Sequence, residues 1–466
     1  MATRPVQALA RLAAAIAQHR SALGDRARVA FVLHPGGAAG AYQAGALTAL
    51  VEHGLKPDLL VGTSIGAFNG LGVLLDAIAP ESPRAPWPPS RLGRLWRRLS
   101  HRQEGSALLL DKPCLVGYIT GRPDWNRQLL PAVASRLPHL GEELSALSMG
   151  LFTSERLRRF TLGTIAGSLE LSHAGAEATC RRLAETWTER QAAGLRPPTL
   201  VAVTSEVATH RAVPFVLGDP AVAARLFDRG HAVRMLGHGT LAGAAMLDPL
   251  VASASIPGVF PPVALPPAVP EDGVERHVDG AIANAEPFHL AIDAGATFLV
   301  SFELESAAHG AVYVPGPGLH FVGAAAESFM TVQDHYQELD ARNVAHQNRR
   351  VAEGHAPGKA VVPLYRLAPI QRQIGLLEFD GRYDGGALAV SLFDWFMTGY
   401  GDAGGHHPQA WLSYHRGQAR HGDTLYAIVP RPVTGWRNAT YLEAAPLPTM
   451  TESPLHPLTR PPWPAS

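Results

Sequence analysis

Strand-like and helix-like stretches alternate along this chain, and the alternation predicts a mainly parallel, three-layer α/β fold. Two turns carry the reading. Pro35-Gly36-Gly37-Ala38-Ala39-Gly40 joins a Val-, Phe- and Leu-rich strand over residues 26–34 to a helix over 41–53, with Gly54 as its stop. Val61-Gly62-Thr63-Ser64-Ile65-Gly66-Ala67 follows a short apolar strand at 58–61 and opens a helix over 65–79. Short apolar runs that turn sharply into helices are the pattern of buried parallel strands.

The remaining elements follow in order. Val6, Leu9, Ala13 and Ile16 recur at helical spacing and predict an amphipathic N-terminal helix within residues 1–26. Five prolines in 80–89 mark a linker. Residues 91–100 set Leu92, Leu95, Trp96 and Leu99 among Arg91, Arg94, Arg97 and Arg98. That is a basic amphipathic helix, either packed on the core or in contact with an anionic lipid surface. Residues 129–187 read as helical with loops, 151–162 bearing on an entrance, and 199–205 and 212–217 as a strand pair. A helix is expected over 242–250, then an irregular proline-punctuated segment over 252–262. His277-Val278-Asp279-Gly280-Ala281 ends a short strand, and 297–303 is another buried strand. Beyond residue 306 come a long polar helix over 321–353, an apolar cluster over 391–400 that forms a lid or packs, and a strand over 423–429. A proline-rich tail follows from 430.

At 466 residues, 46% hydrophobic and 17% charged, the chain has enough apolar surface for a large core. Forty basic and forty acidic residues cancel. With no basic run or recognition motif, nucleic acid is excluded as a partner. Cys114 and Cys180 form neither a disulfide framework nor a metal spacing, and a cytoplasmic setting is expected. His406, His407, His415 and His421 match no zinc pattern, and no acidic calcium loop is present, so no metal or cofactor is implied. No run of about 18 apolar residues predicts a membrane-spanning helix.

The chemistry rests on Ser64. A strand-turn-helix elbow exposes its tip at the end of a sheet, and Gly62 and Gly66 let strand and helix approach closely. The plainer alternative is a βα turn with a serine cap. The glycine-rich turn at 35–40 presents several N–H groups in one concavity, suited to a phosphate or an oxyanion. A dinucleotide reading fails because Pro35 stands at the first glycine and Glu52 is too close to bind a ribose. Two adjacent βα turns place the nest beside the serine, which is what acyl transfer needs. A serine also needs a base. The chain has 21 histidines, and His289, His309, His320 and His335 are available in hydrolase order. A carboxylate is the other solution, with Asp272, Asp279, Asp380 and Asp384 each followed by glycine. Asp279 stands out because it ends a short strand.

Taken in order, Gly36-Gly37-Ala38-Ala39-Gly40, Gly62-Thr63-Ser64-Ile65-Gly66 and Asp279-Gly280-Ala281 resemble the patatin-like phospholipase family. The 252–262 segment and Gly40-Ala41-Tyr42-Gln43-Ala44-Gly45 are similar to further parts of it, and the likeness covers residues 27–305. It implies a three-layer patatin-like fold, Ser64 as nucleophile and Asp279 as base of a Ser-Asp dyad. It also implies an oxyanion hole from the amides of Gly36, Gly37 and Ala38, aided by that of Ile65. Gly40, Gly62, Gly66, Gly280 and Ala281 belong to its motifs. The substrate implied is a lipid or other acyl ester, with peripheral membrane contact. The chain departs from the family at Pro35, where glycine is common, and at Ala39, where a basic residue is common. The layout expected is an N-terminal helix (1–26), an acyl hydrolase domain (27–305), a C-terminal α+β extension (306–430) and a tail (431–466). A non-catalytic lipid-binding or scaffolding protein and a Ser-His-Asp hydrolase are the rival readings.

Overall fold

The computed structural model describes residues 4–78, 90–99, 173–257, 259–267, 273–284, 286–304, 321–369, 372, 374–376, 382–384, 387–405 and 436–441. The expected linker at 80–89, the expected elements over 129–172 (with 151–162) and 423–429, and His309, His320, Asp272 and Asp380, lie outside them. The strands are β1 (Val29–Leu33), β2 (Leu59–Thr63), β3 (Thr199–Glu206), β4 (Ala212–Leu217), β5 (Arg234–Met235) and β6 (Val263–Leu265). They continue with β7 (Glu275–Asp279), β8 (Phe298–Phe302), β9 (Leu364–Leu367), β10 (Arg382–Asp384), β11 (Ala387–Val390) and β12 (Trp436–Asn438).

One sheet runs β12-β9-β8-β1-β2-β3-β4-β5, with β7 pairing β3 and β6 pairing β7. The centre is parallel: β1 lies between β2 and β8, and β2 pairs β3 in the same sense. Alternation along β1 sorts the core into two layers. Val29, Phe31 and Leu33 face one apolar cluster and Ala30 and Val32 the other. The fold is thus a mostly parallel α/β sandwich of three layers, as the alternation predicts. Asp384 ends β10 in a separate two-stranded sheet with β11.

The helices Gly40–Glu52 and Ile65–Ile78 are apolar nearly all round and buried over most of their length, which suits helices that are covered on several sides. The first is covered by the helix Leu392–Asp402. A Cβ at Gly399 would stand 1.9 Å from the Tyr42 carbonyl oxygen, so the backbones meet at a seam that only glycine permits. Leu392, Phe393, Trp395, Phe396 and Met397 are all buried there. At about 1.5–3 kcal/mol for each large apolar side chain, swinging this helix out would cost roughly as much as a whole domain's stability. It packs as a core element. Ser391 and Asp394 form a capping box that fixes its start.

The helix expected over 242–250 starts later. A 3₁₀ turn spans Gly243–Leu247, with Gly243 at φ +57°, and the α-helix is Asp248–Ser253. Pro249 has no N–H to give and suits a first turn, so the helix begins at its neighbour. Within the stretch expected as a tail, Trp436–Asn438 pairs with β9 at the sheet edge. The N-terminal helix Arg4–Leu23 buries Leu9, Leu12 and Ile16. In the basic helix Arg91–Leu99, Leu92 and Trp96 are buried, and the Trp96 indole donates to Asn69 Oδ1 at 2.9 Å. Among the described residues no helix is long and apolar enough to cross a membrane.

Candidate active site

The site forms where two strand ends converge on β3. Thr63 ends β2 opposite Val203, and Asp279 ends β7 opposite Thr204, the next residue of β3. One neighbour runs parallel and leaves as the other arrives antiparallel, so the turns after Thr63 and Asp279 meet. Residues 215 apart in sequence thereby share a site.

Ser64 takes φ +55°, a left-handed conformation that costs an ordinary residue on the order of 1–3 kcal/mol. The elbow is tight: a Cβ at Gly66 would lie 2.2 Å from the Leu33 carbonyl oxygen. The Asp279 carboxylate accepts the Ala281 N–H at 2.9 Å and lies close enough to the Ser64 hydroxyl for that hydroxyl to favour its ionised form. Both residues are buried, Ser64 3% and Asp279 1% exposed. Burial pushes the Asp279 carboxyl up from its ordinary 3.8 to about 7, and the Ser64 hydroxyl and Ala281 N–H only partly oppose this. A carboxyl poised near neutrality suits a general base.

The nest lies alongside. Gly37 has φ +51°, and a 3₁₀ turn over Gly37–Ala39 leads into the helix from Gly40. Asn69, on the elbow helix, donates to the Gly40 carbonyl at 3.0 Å and to Gln43 Oε1 at 2.9 Å. Gln43 in turn donates to the Phe302 carbonyl at 3.1 Å, at the end of β8. Nest, elbow and central strand are therefore tied by buried amides. The Ala38 N–H, expected in the oxyanion hole, donates to the Leu376 carbonyl at 2.9 Å. In this arrangement it is already engaged.

Of the candidate histidines among the described residues, His335 is exposed with its ring 6.4 Å from that of Tyr336, and His289 is partly buried. His289 pairs with Asp340, and His277 bonds Thr204 and Glu275. His34, just before the nest, bonds Ser301 at 2.8 Å, and burial lowers its imidazole to about 4, so it stays neutral. Among the described residues no cluster of three or more His, Cys, Asp or Glu is arranged for a metal ion.

Four further residues support the site. Ser253 accepts the Ser64 N–H at 3.0 Å, and Asn284 donates to Thr63 Oγ1 at 3.0 Å. Ser205 donates to the Asp279 carbonyl at 2.8 Å, and Leu376 sits on the nest. Ser253 lay inside the proline-punctuated segment, which was the one local signal.

A family model described as Patatin-like phospholipase matches residues 31–292, more than half of the chain. The chain is similar to Lysophospholipase nte1 of Aspergillus terreus, 42% identical over 100 residues, or 21% of this chain and 6% of that protein. It is similar to the protein of the same name from Aspergillus niger at 40% over 100 residues, again 21% and 6%. With Lysophospholipase NTE1 of Phaeosphaeria nodorum it shares 43% over 70 residues, 15% and 5%. The chain thus spans only 5–6% of the length of these relatives. Among solved structures, VipD from Legionella pneumophila aligns at TM-score 0.30 and 14% identity, over 84% of this chain and 67% of that one. That likeness is too weak to carry an argument. The family match includes the nest, the elbow and the Asp279 turn that the sheet assembles, and the chain belongs to the patatin-like phospholipase family.

Proposed function

We propose that this protein is a lipid acyl hydrolase of phospholipase A, lysophospholipase or esterase type, working through a Ser64-Asp279 dyad and an acyl-enzyme. The observation that carries the reading is the Ser64 hydroxyl beside the buried Asp279 carboxylate, with Ser64 at φ +55° on the elbow. Asp279 takes the hydroxyl proton as Ser64 Oγ bonds to the ester carbonyl carbon. Negative charge gathers on the carbonyl oxygen, where amides of the nest meet it. The carbon–oxygen bond to the leaving alcohol then breaks, and the alcohol departs with the proton held by Asp279. In the second half water gives a proton to Asp279 as the water oxygen bonds to the acyl carbon, the acyl–Oγ bond breaks, and Ser64 leaves as the hydroxyl by taking that proton back from Asp279. The amides of Gly36 and Gly37 supply the hole, and that of Ala38 joins once Leu376 withdraws. The lysophospholipase names of the relatives favour a single-chain lipid ester as substrate.

The test is turnover of p-nitrophenyl butyrate and of lysophosphatidylcholine. Ser64→Ala and Asp279→Asn are each expected to lose at least about 10³-fold in kcat while staying folded. A fluorophosphonate is expected to label the wild type on Ser64. Full turnover by either variant would sink the dyad. A second reading, non-catalytic lipid binding, is favoured by the engaged Ala38 amide and by Ala39 standing in place of a basic residue. Vesicle binding without turnover or labelling of Ser64 would support it instead.

A further inference from the structure

Each member of the Ser64-Asp279 pair is held at its backbone by the same short segment. Ser253 ends the helix Asp248–Ser253 and is fully buried. Its hydroxyl accepts the Ser64 N–H at 3.0 Å and donates to the Val203 carbonyl at 2.6 Å. Two residues on, the Ser255 carbonyl accepts the Asp279 N–H at 2.9 Å. Ser255 is itself anchored, donating through its hydroxyl to the Val251 carbonyl at 2.8 Å. The Val203 carbonyl that receives Ser253 is also the atom Gly280 packs on, since a Cβ there would lie 2.0 Å away. The contacts close a ring: Ser64 to Ser253, Ser253 to Val203, Val203 to the Asp279-Gly280 turn, and Asp279 back to Ser64.

We infer that Ser253 is a positioning residue for the acyl transfer, holding the left-handed Ser64 backbone at a fixed distance from Asp279. The inference rests on the dyad proposed above. Three features set Ser253 apart from a serine that merely satisfies a helix end. It accepts from the nucleophile itself, it reaches β3 at the residue that faces Thr63, and its segment also holds the base. Without its hydroxyl, the Ser64 N–H and the Val203 carbonyl both lose a buried partner, and the strained elbow is free to relax. The engagement of the Ser64 N–H also removes that amide from the set that meets the oxyanion, leaving the charge to the nest and to Ile65.

The experiment measures kcat and KM for p-nitrophenyl butyrate, the fluorophosphonate labelling rate of Ser64, and urea unfolding. It uses the full chain as wild type, Ser253→Ala and Ser253→Cys. Cysteine keeps the volume but is a weak donor and acceptor, so it tests the hydrogen bonds in a filled site even where alanine fails to fold. A nucleophile misplaced by about 1 Å loses on the order of 10²-fold. Both variants are expected to lose about 30- to 100-fold in kcat with KM within about twofold, and labelling is expected to slow in parallel. A purely structural serine would instead lower the urea midpoint and leave the kcat of the folded fraction unchanged. If the folded Ser253→Cys keeps kcat within about threefold of wild type, the positioning role is overturned. Ser64→Ala and Asp279→Asn run beside them separate the two claims. If those variants are inactive and the Ser253 variants active, only the positioning role fails; if those variants are active, the dyad itself fails.

Discussion

Asp279 lies opposite Thr204, one residue along β3 from the Val203 that faces Thr63. The register of one strand thus sets where Asp279 stands relative to Ser64. Gly280 allows it, because its Cα lies against the Val203 carbonyl and a Cβ would come within 2.0 Å of that oxygen. Gly280→Ala must push the Asp279 turn off β3. A loss of at least about 10²-fold in kcat is expected, with a destabilisation of about 1–3 kcal/mol from overpacking. Ester turnover and urea unfolding of the variant check both, and unaltered kcat would show that the turn can shift without moving the carboxylate.

The titration of Asp279 gives the pH dependence its sign. In the proposed dyad Asp279 must be ionised to accept the serine proton, and burial pushes its carboxyl up to about 7. kcat/KM is therefore expected to rise with pH through an acid limb centred near 7 and to level above it. An acid limb near the ordinary carboxylate value would mean that another group limits the reaction. The neighbouring Ser64 hydroxyl favours the ionised form, so in Ser64→Ala the carboxyl is expected to titrate higher still, a shift that carboxyl NMR can follow.

The same displacement couples to stability. Between the ordinary 3.8 and about 7 the native state keeps a proton that the unfolded chain has released. Stability accordingly falls as pH rises through that window. Asp279→Asn has no charge to bury. It is expected to match wild type near pH 4 and to exceed it above pH 7, by about 4 kcal/mol at the upper end. Urea midpoints at pH 4 and pH 8 provide the comparison, and equal differences at the two pH values would reject the linkage.

Much of this site is legible locally. The Ser64 elbow, the glycine nest and the Asp279 turn each consist of adjacent residues whose types answer a backbone demand, so short windows reveal them. The alternation of strands and helices likewise announces the parallel sheet. Register is different. Nothing near Thr204 marks it as the partner of Asp279, and Ser253 meets Ser64 across 189 positions through one hydroxyl. The role of the 391–400 cluster was ambiguous for a related reason, since apolar residues at helical spacing suit a lid as well as a core. The burial of its apolar residues and the contact of Gly399 with the Tyr42 carbonyl decide it.

That seam makes its own prediction. Gly399→Ala places a methyl 1.9 Å from the Tyr42 carbonyl oxygen and forces the helices apart. The Trp395 indole, which donates to the Ala39 carbonyl at 3.1 Å, would be drawn away from the nest. A loss of at least about 2 kcal/mol in unfolding free energy is expected. A variant as stable as wild type in urea would mean that the helix is not seated on the core.

The last prediction concerns Leu376. Its carbonyl takes the Ala38 N–H, and a Cβ at Gly37 would stand 2.2 Å from that oxygen, so a main-chain carbonyl already sits on the nest. An ester oxygen that draws on the Ala38 amide must displace it. The side chain of Leu376 is buried and anchors the carbonyl in place. Leu376→Ala removes that anchor, at a cost of about 2–5 kcal/mol to the packed arrangement. If only a fraction of molecules has the nest clear, raising that fraction raises apparent substrate affinity in proportion. kcat/KM for p-nitrophenyl butyrate is expected to increase by about 3- to 10-fold even as the urea midpoint falls. A lower midpoint with unchanged kcat/KM would instead mark the Leu376 contact as packing alone and leave the oxyanion to the amides of Gly36 and Gly37.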